Sequence, residues 1–206
     1  MKKLESSITN MVLVLVGVAL ITGSILAYVN HVTEGPIQEQ ASKTLADGIK
    51  SVMGGVELTV AKDDTVKQEF GGKEATFVVH KTVGADKKDL GVAIESTTGG
   101  FGGDLKVLVG FDLEGNILGY TILQHAETPG LGAKADTWFQ KGSKGDIIGK
   151  NPSKDNLTVS KDGGTIDAIT ASTITSRAFL LAVTQAYQAY SNVPTDGTTS
   201  ATSQAK

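Results

Sequence analysis

The sequence contains no cysteine, and this absence excludes several kinds of redox and metal site. Disulfides, thiolate zinc sites, iron–sulfur clusters and thioether-linked haem all require cysteine. Only three histidines occur, His31, His80 and His125, and none lies in an HExxH motif. We therefore expect no dedicated metal site, and any redox chemistry must use a group other than these.

Positive charge is also scarce. The 19 Lys and Arg residues are outnumbered by 22 Asp and Glu, and Arg177 is the only arginine. Nucleic acids are bound by clustered basic side chains, so we expect no nucleic-acid partner. No GxGxxG, GxxxxGK(S/T) or GxSxG motif is present, so common nucleotide-binding loops and the serine-hydrolase elbow are excluded as well.

The chain does have enough apolar material for a folded domain. Its 206 residues fit one domain of about 100–200 residues, and 40% of them are hydrophobic. Glycine is abundant, with 25 residues, which indicates frequent turns.

One long apolar run lies near the N-terminus. No charged side chain occurs between Glu5 and Glu34, and Met11–Val29 is interrupted only by small residues. At 1.5 Å per residue this stretch spans about 28 Å as a helix, close to the hydrocarbon thickness of a bilayer. We predict a transmembrane helix over residues 11–29, anchored in the lipid bilayer. A cleaved signal peptide is the alternative, but its apolar region is usually only about 7–15 residues long.

The positive charges around this run predict its orientation. Lys2 and Lys3 precede it, and the next basic residue after it is Lys43. By the positive-inside rule, residues 1–10 then lie in the cytoplasm and the rest of the chain lies outside the cytoplasmic membrane.

The remaining chain has the pattern of an α+β domain. Apolar spacing predicts an amphipathic helix at Ile37–Met53, and a short helix is expected at Ala133–Lys141 and a long one at Thr175–Tyr190. Beyond Pro194 the sequence is polar, and we expect residues 191–206 to be disordered. Strands are predicted at Glu74–Lys81, Leu90–Glu95, Leu105–Phe111, Ile117–Leu123, Leu157–Ser160 and Thr165–Ile169.

A cluster of hydroxyl side chains stands where a predicted strand meets the last helix. Five hydroxyl residues fall within residues 170–176, and Arg177 follows them. Ser and Thr cap helix N-termini, and taken alone this is the better explanation for one or two of them. The first turn of a helix also binds phosphate, and a guanidinium can clamp one, so the cluster is also a candidate phosphate site.

Two glycine-containing loops complete the set of motifs. In the segment from His125 to Gly132, Pro129 and Gly130 suit a type II turn, with Glu127 just before it. The Thr98–Gly103 segment holds four glycines, which permit close backbone approach. Trp138 and Phe139 follow and are candidates for stacking on a flat ring, although most such pairs belong to a core.

These segments, in this order after one N-terminal span, resemble the FMN-binding subunits of membrane redox pumps. The resemblance is to the RnfG-type subunits of the Rnf complex and to the related NqrC-type subunits of the Na⁺-pumping NADH:quinone reductase. The flavinylation sequence of that family, Ser/Thr-Gly-Ala-Thr-x-Ser/Thr, corresponds to residues 170–175, with Ala171 and Ser172 departing from the usual Gly and Ala. The chain's short length favours the Rnf member.

The resemblance implies a function and a set of site residues. It implies an electron carrier whose FMN is attached to Thr173 through a phosphodiester, in an ion-translocating ferredoxin:NAD⁺ oxidoreductase with integral-membrane and iron–sulfur partner subunits. It further implies a flavin transferase that uses FAD and Mg²⁺. The alternatives are the quinone-reductase member and a membrane-tethered sensory or structural domain without covalent flavin. The expected FMN-binding residues are Thr170, Ala171, Ser172, Thr173, Ile174, Thr175, Arg177, Glu127, Thr128, Gly130, Leu131, Gly132 and Trp138.

The expected architecture combines both lines of reasoning. We expect an α+β fold, in which a single transmembrane helix is followed by an extracytoplasmic FMN-binding domain with a mainly antiparallel sheet packed by helices. The expected boundaries are a connecting helix at residues 30–54 and an FMN-binding domain at residues 55–190.

Overall fold

The computed structural model describes residues 7–70 and 73–192, which fall into two compact units divided between Thr44 and Leu45. Each unit is described in turn. The two N-terminal lysines and all but the first two residues of the expected disordered tail lie outside the described residues.

The first unit is helical. Helix α1 (Ile8–Val52) is continuous over 45 residues, and its portion up to Thr44 makes up this unit. The most apolar 18-residue window of α1 has a mean hydropathy of 2.5 and no buried residue. Within the described part of the chain, α1 is the one helix long and apolar enough to cross a membrane.

The hydroxyl groups inside the apolar run have local partners. Thr22 donates its hydroxyl to the Val18 carbonyl at 2.7 Å, and Ser24 donates to the Leu20 carbonyl at 2.7 Å. Such bonds to the preceding turn satisfy the hydroxyls without water. Polar residues at these two positions are therefore compatible with a hydrocarbon environment.

The second unit is built on an antiparallel sheet. Its five strands lie in sequence order, so each strand pairs with the one before it and the one after it. The strands are β1 (Leu58–Phe70), β2 (Lys73–Gly84), β3 (Asp89–Gly99), β4 (Asp104–Phe111) and β5 (Ile117–Gln124).

One face of this sheet packs against the last helix, α3 (Thr173–Ser191). Alternate residues of β3 and β4, such as Ile94 and Val107, are fully buried against apolar residues of α3, such as Phe179 and Val183. Burial of about 25 cal/mol for each Å² of apolar surface is the main stabilisation of this layer. The predicted C-terminal helix with its apolar face and the four predicted strands that correspond to β2, β3, β4 and β5 are confirmed.

The C-terminal end of α1 packs on the opposite face. Ile49 and Val52 form a second buried cluster with Leu108 of β4. Gly110 and Gly119 are direct cross-strand partners beneath Val52, and a Cβ atom on Gly119 would lie 2.9 Å from the Val52 carbonyl oxygen. The paired glycines let the helix backbone rest directly on the sheet.

Three elements differ from the sequence expectations. The strands expected at 157–160 and 165–169 are wrong: only one parallel bridge, between Val159 and Ile166, forms there. A 3₁₀ turn (Ser160–Asp162) and the Gly163–Gly164 pair lie between these two residues, so too few extended residues remain for a ladder of strand hydrogen bonds. The expected helix at 133–141 is a 3₁₀ turn (Gly132–Lys134) followed by one helical turn, α2 (Ala135–Trp138).

Strand β1 and the extent of α1 were not anticipated. Strand β1 contains Lys62, Asp63, Asp64 and Lys67, so its sequence lacks the apolar alternation of a half-buried strand. It lies at the sheet edge, where such charges are tolerated. The amphipathic segment is part of the same continuous helix as the apolar run, and only its last two turns are buried.

A row of charged side chains crosses four strands on the α1 side of the sheet. Buried His80 on β2 places Nδ1 at 2.7 Å from Asp63 and Nε2 at 2.9 Å from buried Glu95. The second oxygen of Glu95 lies 2.5 Å from Lys106 Nζ. Because both ring nitrogens face carboxylates, the doubly protonated imidazolium satisfies both contacts.

The pKa values of this row follow from its contacts. Burial alone would lower the pKa of His80, but its hydrogen bonds to Glu95 and Asp63 outweigh burial and raise it. Burial would likewise raise the pKa of Glu95, but the hydrogen bonds from His80 and Lys106 lower it. The charged forms of both groups are therefore favoured by folding.

We expect the stability contributed by His80 to fall as pH rises. A raised folded pKa means that this contribution is complete below the unfolded pKa of about 6.5 and is lost as pH passes the folded pKa. The His80→Gln substitution should lower the unfolding free energy by about 2–3 kcal/mol at pH 6, and by less at pH 9. Urea unfolding of the full chain in detergent tests this, with exposed His31→Gln as the control. A pH-independent difference would contradict it.

Candidate functional site

The hydroxyl cluster at the start of α3 divides into two hydroxyls with structural bonds, those of Thr175 and Ser176, and three for which the described residues provide no hydrogen-bond partner, those of Thr170, Ser172 and Thr173. Ser176 accepts a hydrogen bond from the Ile169 N–H at 2.9 Å and donates to the Ser172 carbonyl at 3.0 Å, which ties the preceding loop to the helix. Thr175 donates to Glu127. Ser172 is the N-cap residue but forms no side-chain cap, so the expected capping is not observed.

Thr173 is the first residue of α3 and is half-buried. Among the described residues its hydroxyl has no hydrogen-bond partner. The first N–H groups of a helix have no carbonyl four residues back, and here no side chain of the N-cap replaces it. A free hydroxyl therefore lies beside unpaired backbone donors and the positive end of the helix dipole, an arrangement that favours an anion.

Glu127 joins the three motifs that the sequence singles out. Its carboxylate is buried; Oε1 accepts hydrogen bonds from the Phe101 N–H at 2.7 Å and the Gly102 N–H at 3.3 Å. Oε2 accepts from the Thr175 hydroxyl at 2.7 Å. The glycine loop, the Pro-Gly loop and the start of α3 are thus held together by one side chain.

Two glycines make room for this carboxylate. A Cβ atom on Gly100 would collide with Oε1, and a Cβ atom on Gly132 would collide with Oε2 and approach the Thr175 hydroxyl. Glycine at these positions is required by close approach of the backbone to Glu127.

The Pro-Gly loop adopts the turn that its sequence predicts. Gly130 has a φ of +76°, and the Leu131 N–H donates to the Thr128 carbonyl at 3.1 Å, as in a type II turn. The side chain of Leu131 is exposed, as are those of Phe101 and Ile174. His125 accepts a hydrogen bond from the Glu127 N–H at 3.2 Å, so it supports the loop conformation.

A cleft of about 290 Å³ opens beside the loop that precedes α3. Trp138 forms one wall, and its indole N–H donates to the Asp167 carbonyl at 2.8 Å. Phe139 belongs instead to the core, where it stacks on Phe179 with ring centroids 4.3 Å apart. The residues lining the cleft are Trp138, Lys144, Ser160, Lys161, Asp167, Ala168, Ile169, Thr170 and Ala171.

Arg177 is bound to a carboxylate. Its Nε and one terminal nitrogen each lie 2.7 Å from an oxygen of Asp162, on the 3₁₀ turn before the cleft loop. The hydrogen bond from Arg177 lowers the pKa of Asp162, and Lys161 contributes to the same shift. Two donors of the expected phosphate clamp are therefore already occupied.

Sequence reasoning identified the segments of this site but missed several of its contacts. It did not identify Lys144 and Lys161 at the cleft or Asp162 as the partner of Arg177. No motif marks them, because they come from irregular segments that only the tertiary fold brings together. The Phe101 N–H group was missed because backbone donors leave no signal in residue type; the glycines around it were the available indication.

The geometry defines an α+β domain with an anion-favouring helix start beside an aromatic-walled cleft. Residues 100–188 match the FMN-binding domain family.

Relatives that align over most of their length specify the family further. The G-type subunit of the ion-translocating oxidoreductase complex from Shewanella amazonensis is 32% identical over 200 residues, covering 88% of this chain and 87% of that protein. Its Vibrio parahaemolyticus counterpart is 35% identical over 175 residues, covering 80% and 81%. The G-type subunit of the Na⁺-translocating ferredoxin:NAD⁺ oxidoreductase complex from Acetobacterium woodii is 32% identical over 192 residues, covering 88% and 90%. The chain belongs to this family of G-type subunits, which confirms the resemblance and the expected fold class.

We expect removal of the Glu127 carboxylate to separate the three motifs. Glu127→Ala leaves three donors without their charged acceptor and should lower the unfolding free energy by about 3 kcal/mol or more. Thr175→Val removes one donor and should cost about 1–2 kcal/mol. In a double-mutant cycle measured by urea unfolding, we expect a coupling energy of at least about 1 kcal/mol. Additive effects would show that the contact contributes nothing of its own.

We expect Ala171→Gly to stabilise the chain. Ala171 has a φ of +62°, a conformation that costs an L-residue about 1–2 kcal/mol and costs glycine nothing. The larger unfolded-state entropy of glycine offsets part of this gain, so the net increase should be about 0.5–1 kcal/mol. Thermal unfolding measures it, and Ala168→Gly, just before this loop, is the control that should not stabilise.

Proposed function

We propose that this chain is the electron-carrying subunit of a membrane ion-translocating oxidoreductase, with FMN joined to Thr173 through a phosphodiester. The observation that carries the proposal is the free Thr173 hydroxyl at the uncapped start of α3, within the region that matches the FMN-binding domain family. The relatives are named as subunits of ion-translocating oxidoreductase complexes, which is why we place this chain in such a complex.

The residues present suit a phosphate ester. The unpaired N–H groups of the first turn of α3 would donate to the phosphate oxygens, and the helix dipole would stabilise their charge. Ser172 is buried, Thr175 is committed to Glu127, and exposed Thr170 lies three residues before the helix, whereas Thr173 combines partial exposure and a free hydroxyl with the first position of α3. This distinction favours Thr173 as the acceptor among neighbouring hydroxyls.

The surrounding loops would fix and shield the cofactor. Leu131 and Gly130 belong to the turn at Thr128 that follows Glu127, while Trp138 walls the cleft beside the loop before α3. FMN, when bound, supplies reversible one-electron and two-electron transfer without any cysteine. The protein's part is to hold the ring at a fixed place from which electrons can pass to partner subunits.

Arg177 can contribute to phosphate binding only in part, because two of its donors are already bound to Asp162. Its bidentate contact with Asp162 ties α3 to the 3₁₀ turn before the cleft, so it positions that turn directly. Contact with a phosphate would have to use the guanidinium N–H groups that Asp162 leaves available.

The proposal includes partners, maturation and placement. We propose integral-membrane and iron–sulfur partner subunits, and a flavin transferase that uses FAD and Mg²⁺. In that reaction the Thr173 oxygen bonds to the FMN phosphorus, the phosphoanhydride of FAD breaks, and AMP leaves. The span at residues 11–29 would anchor the chain with residues 1–10 in the cytoplasm and the domain at 55–190 on the extracytoplasmic side.

We expect Thr173→Ala to abolish covalent flavin and leave the fold intact. Co-expression of the full chain with a flavin transferase should add the mass of one FMN less one water, with in-gel fluorescence that survives denaturation. Intact-mass measurement tests this, and circular dichroism checks the fold.

Two variants serve as controls. Thr173→Ser retains a hydroxyl and should retain at least part of the modification, while Thr170→Ala removes an exposed neighbouring hydroxyl and should leave it complete. An unmodified wild-type chain, beside a modified relative, would overturn the proposal and favour a tethered domain without covalent flavin. A modified chain whose complex reduces quinone would instead favour the quinone-reductase member.

A further inference from the structure

Helix α3 begins without the side-chain cap that commonly fixes the start of a helix. Ser172 occupies the N-cap position, but within the described chain no side-chain hydrogen bond caps the first turn, and that turn contains no acidic residue. The end of a helix frays readily when its free N–H groups have no partner. The lack of a cap also leaves those N–H groups available for a phosphate. A contact other than a cap must therefore hold the turn in place.

The hydrogen bond between Thr175 and Glu127 is such a contact. Thr175 is 1% exposed, and its hydroxyl donates to Oε2 of Glu127 at 2.7 Å. Oε1 of the same carboxylate is fixed by the N–H groups of Phe101 and Gly102, at 2.7 and 3.3 Å. Ser176 also bonds to the backbone, but its partners lie in the short loop that leads into the helix. The Glu127 contact instead joins the turn to a loop 48 residues away in the sequence.

The position of Thr175 determines the direction of Thr173. Successive residues of an α-helix are about 100° apart around its axis, so residues two positions apart point to nearly opposite sides. Thr175 faces the interior, whereas Thr173 is half-buried and Ile174 is exposed. A rotation of the first turn that released Thr175 would carry the Thr173 hydroxyl toward the interior. The bond to Glu127 thus fixes the rotational orientation in which Thr173 is accessible.

We propose that Glu127 is a positioning residue for flavinylation. It acts through Thr175 to hold the Thr173 hydroxyl and the free N–H groups of α3 in the orientation that a flavin transferase requires. The inference rests on the proposed covalent FMN at Thr173. In that reaction the Thr173 oxygen bonds to the FMN phosphorus, the phosphoanhydride of FAD breaks, AMP leaves and the hydroxyl proton is released. A displacement of the reacting oxygen by about 1 Å is enough to lower such a rate about a hundredfold.

Burial of Thr175 argues against its direct recognition by the transferase. An enzyme that approaches the folded chain can touch the exposed side chain of Ile174, but the side chain of Thr175 lies beneath the surface. Glu127 is likewise buried, and its carboxylate is bound to three donors. Both residues therefore influence the modification through the shape of the helix start.

The experiment measures kcat and KM for flavinylation of the full chain in detergent. The unmodified chain is incubated with purified flavin transferase, FAD and Mg²⁺, and its intact mass is followed with time. Thr175→Val removes the hydroxyl with little change in shape and should lower kcat about tenfold or more, with KM nearly unchanged. Thr175→Ser keeps the hydroxyl and should retain kcat within about threefold of the wild-type value.

Variants of Glu127 separate position from charge. The amide of Glu127→Gln can accept from the glycine loop and donate to the Thr175 oxygen, so kcat should fall by no more than about threefold. Glu127→Asp keeps the charge but is one carbon shorter and cannot reach both sets of partners, so kcat should fall about tenfold or more. Combining Glu127→Asp with Thr175→Val should cost no more than the larger single loss, because both variants break the same contact.

Thr98→Val is the matched control for stability. The buried Thr98 hydroxyl donates to the Ala178 carbonyl of α3 at 2.9 Å, so this variant removes a similar bond to the same helix without touching Glu127. Its kcat should stay within about twofold of the wild-type value. Circular dichroism checks that each variant is folded at the assay temperature. An equal loss in Thr98→Val and Thr175→Val would overturn the inference, because a general loosening of α3 would explain both.

The remaining outcomes separate this inference from the proposed function. A wild-type chain that gains no FMN mass would contradict the proposed function itself. If the wild-type chain is modified and Thr175→Val and Glu127→Asp are modified at the same rate, Glu127 is not a positioning residue while the carrier role stands. A change confined to KM would overturn the inference in the same way, since it would indicate weaker binding of the transferase and not a displaced Thr173.

Discussion

The arrangement of this domain's functional end depends on a single buried carboxylate. Glu127 accepts hydrogen bonds from two backbone N–H groups of the glycine loop and from the hydroxyl of Thr175. A buried charge is costly unless it is fully hydrogen-bonded, so the three segments cannot separate without exposing or stranding it. The requirement for glycine at Gly100 and Gly132 follows directly, because any larger residue would occupy the space of the carboxylate.

The same contact explains how neighbouring hydroxyls acquire different roles. Thr175 is committed to Glu127 and Ser176 to the loop backbone, so both serve the structure. Thr173, the first residue of the same helix, has no such partner, and Thr170 and Ser172, which precede the helix, have none among the described residues either. The structural roles of these similar hydroxyl residues thus depend on which partners lie within hydrogen-bond distance of each. Ala171, two residues before α3, has a left-handed backbone conformation, with which the chain turns sharply into the helix.

Much of this architecture can be predicted from sequence, for identifiable reasons. Apolar alternation in β2 to β5 and helical spacing in α3 predict those elements, because burial selects apolar residues at the matching period. Strand β1 escapes prediction because an edge strand with charges such as Asp63 lacks that signal. The site motifs are recognisable, but their convergence on Glu127 and the pairing of Arg177 with Asp162 depend on contacts between residues far apart in sequence.

The order of the strands has a consequence for how the protein is made. In a meander each strand pairs with its sequence neighbours, so the sheet can form progressively as the chain leaves the ribosome or the translocon. Helix α3 is the last element described, and the Glu127 contact forms only once it docks. The candidate site at Thr173 therefore exists only in a chain that has been synthesised through α3 and has folded. Any enzyme that recognises this site in three dimensions acts only on molecules that have passed that point.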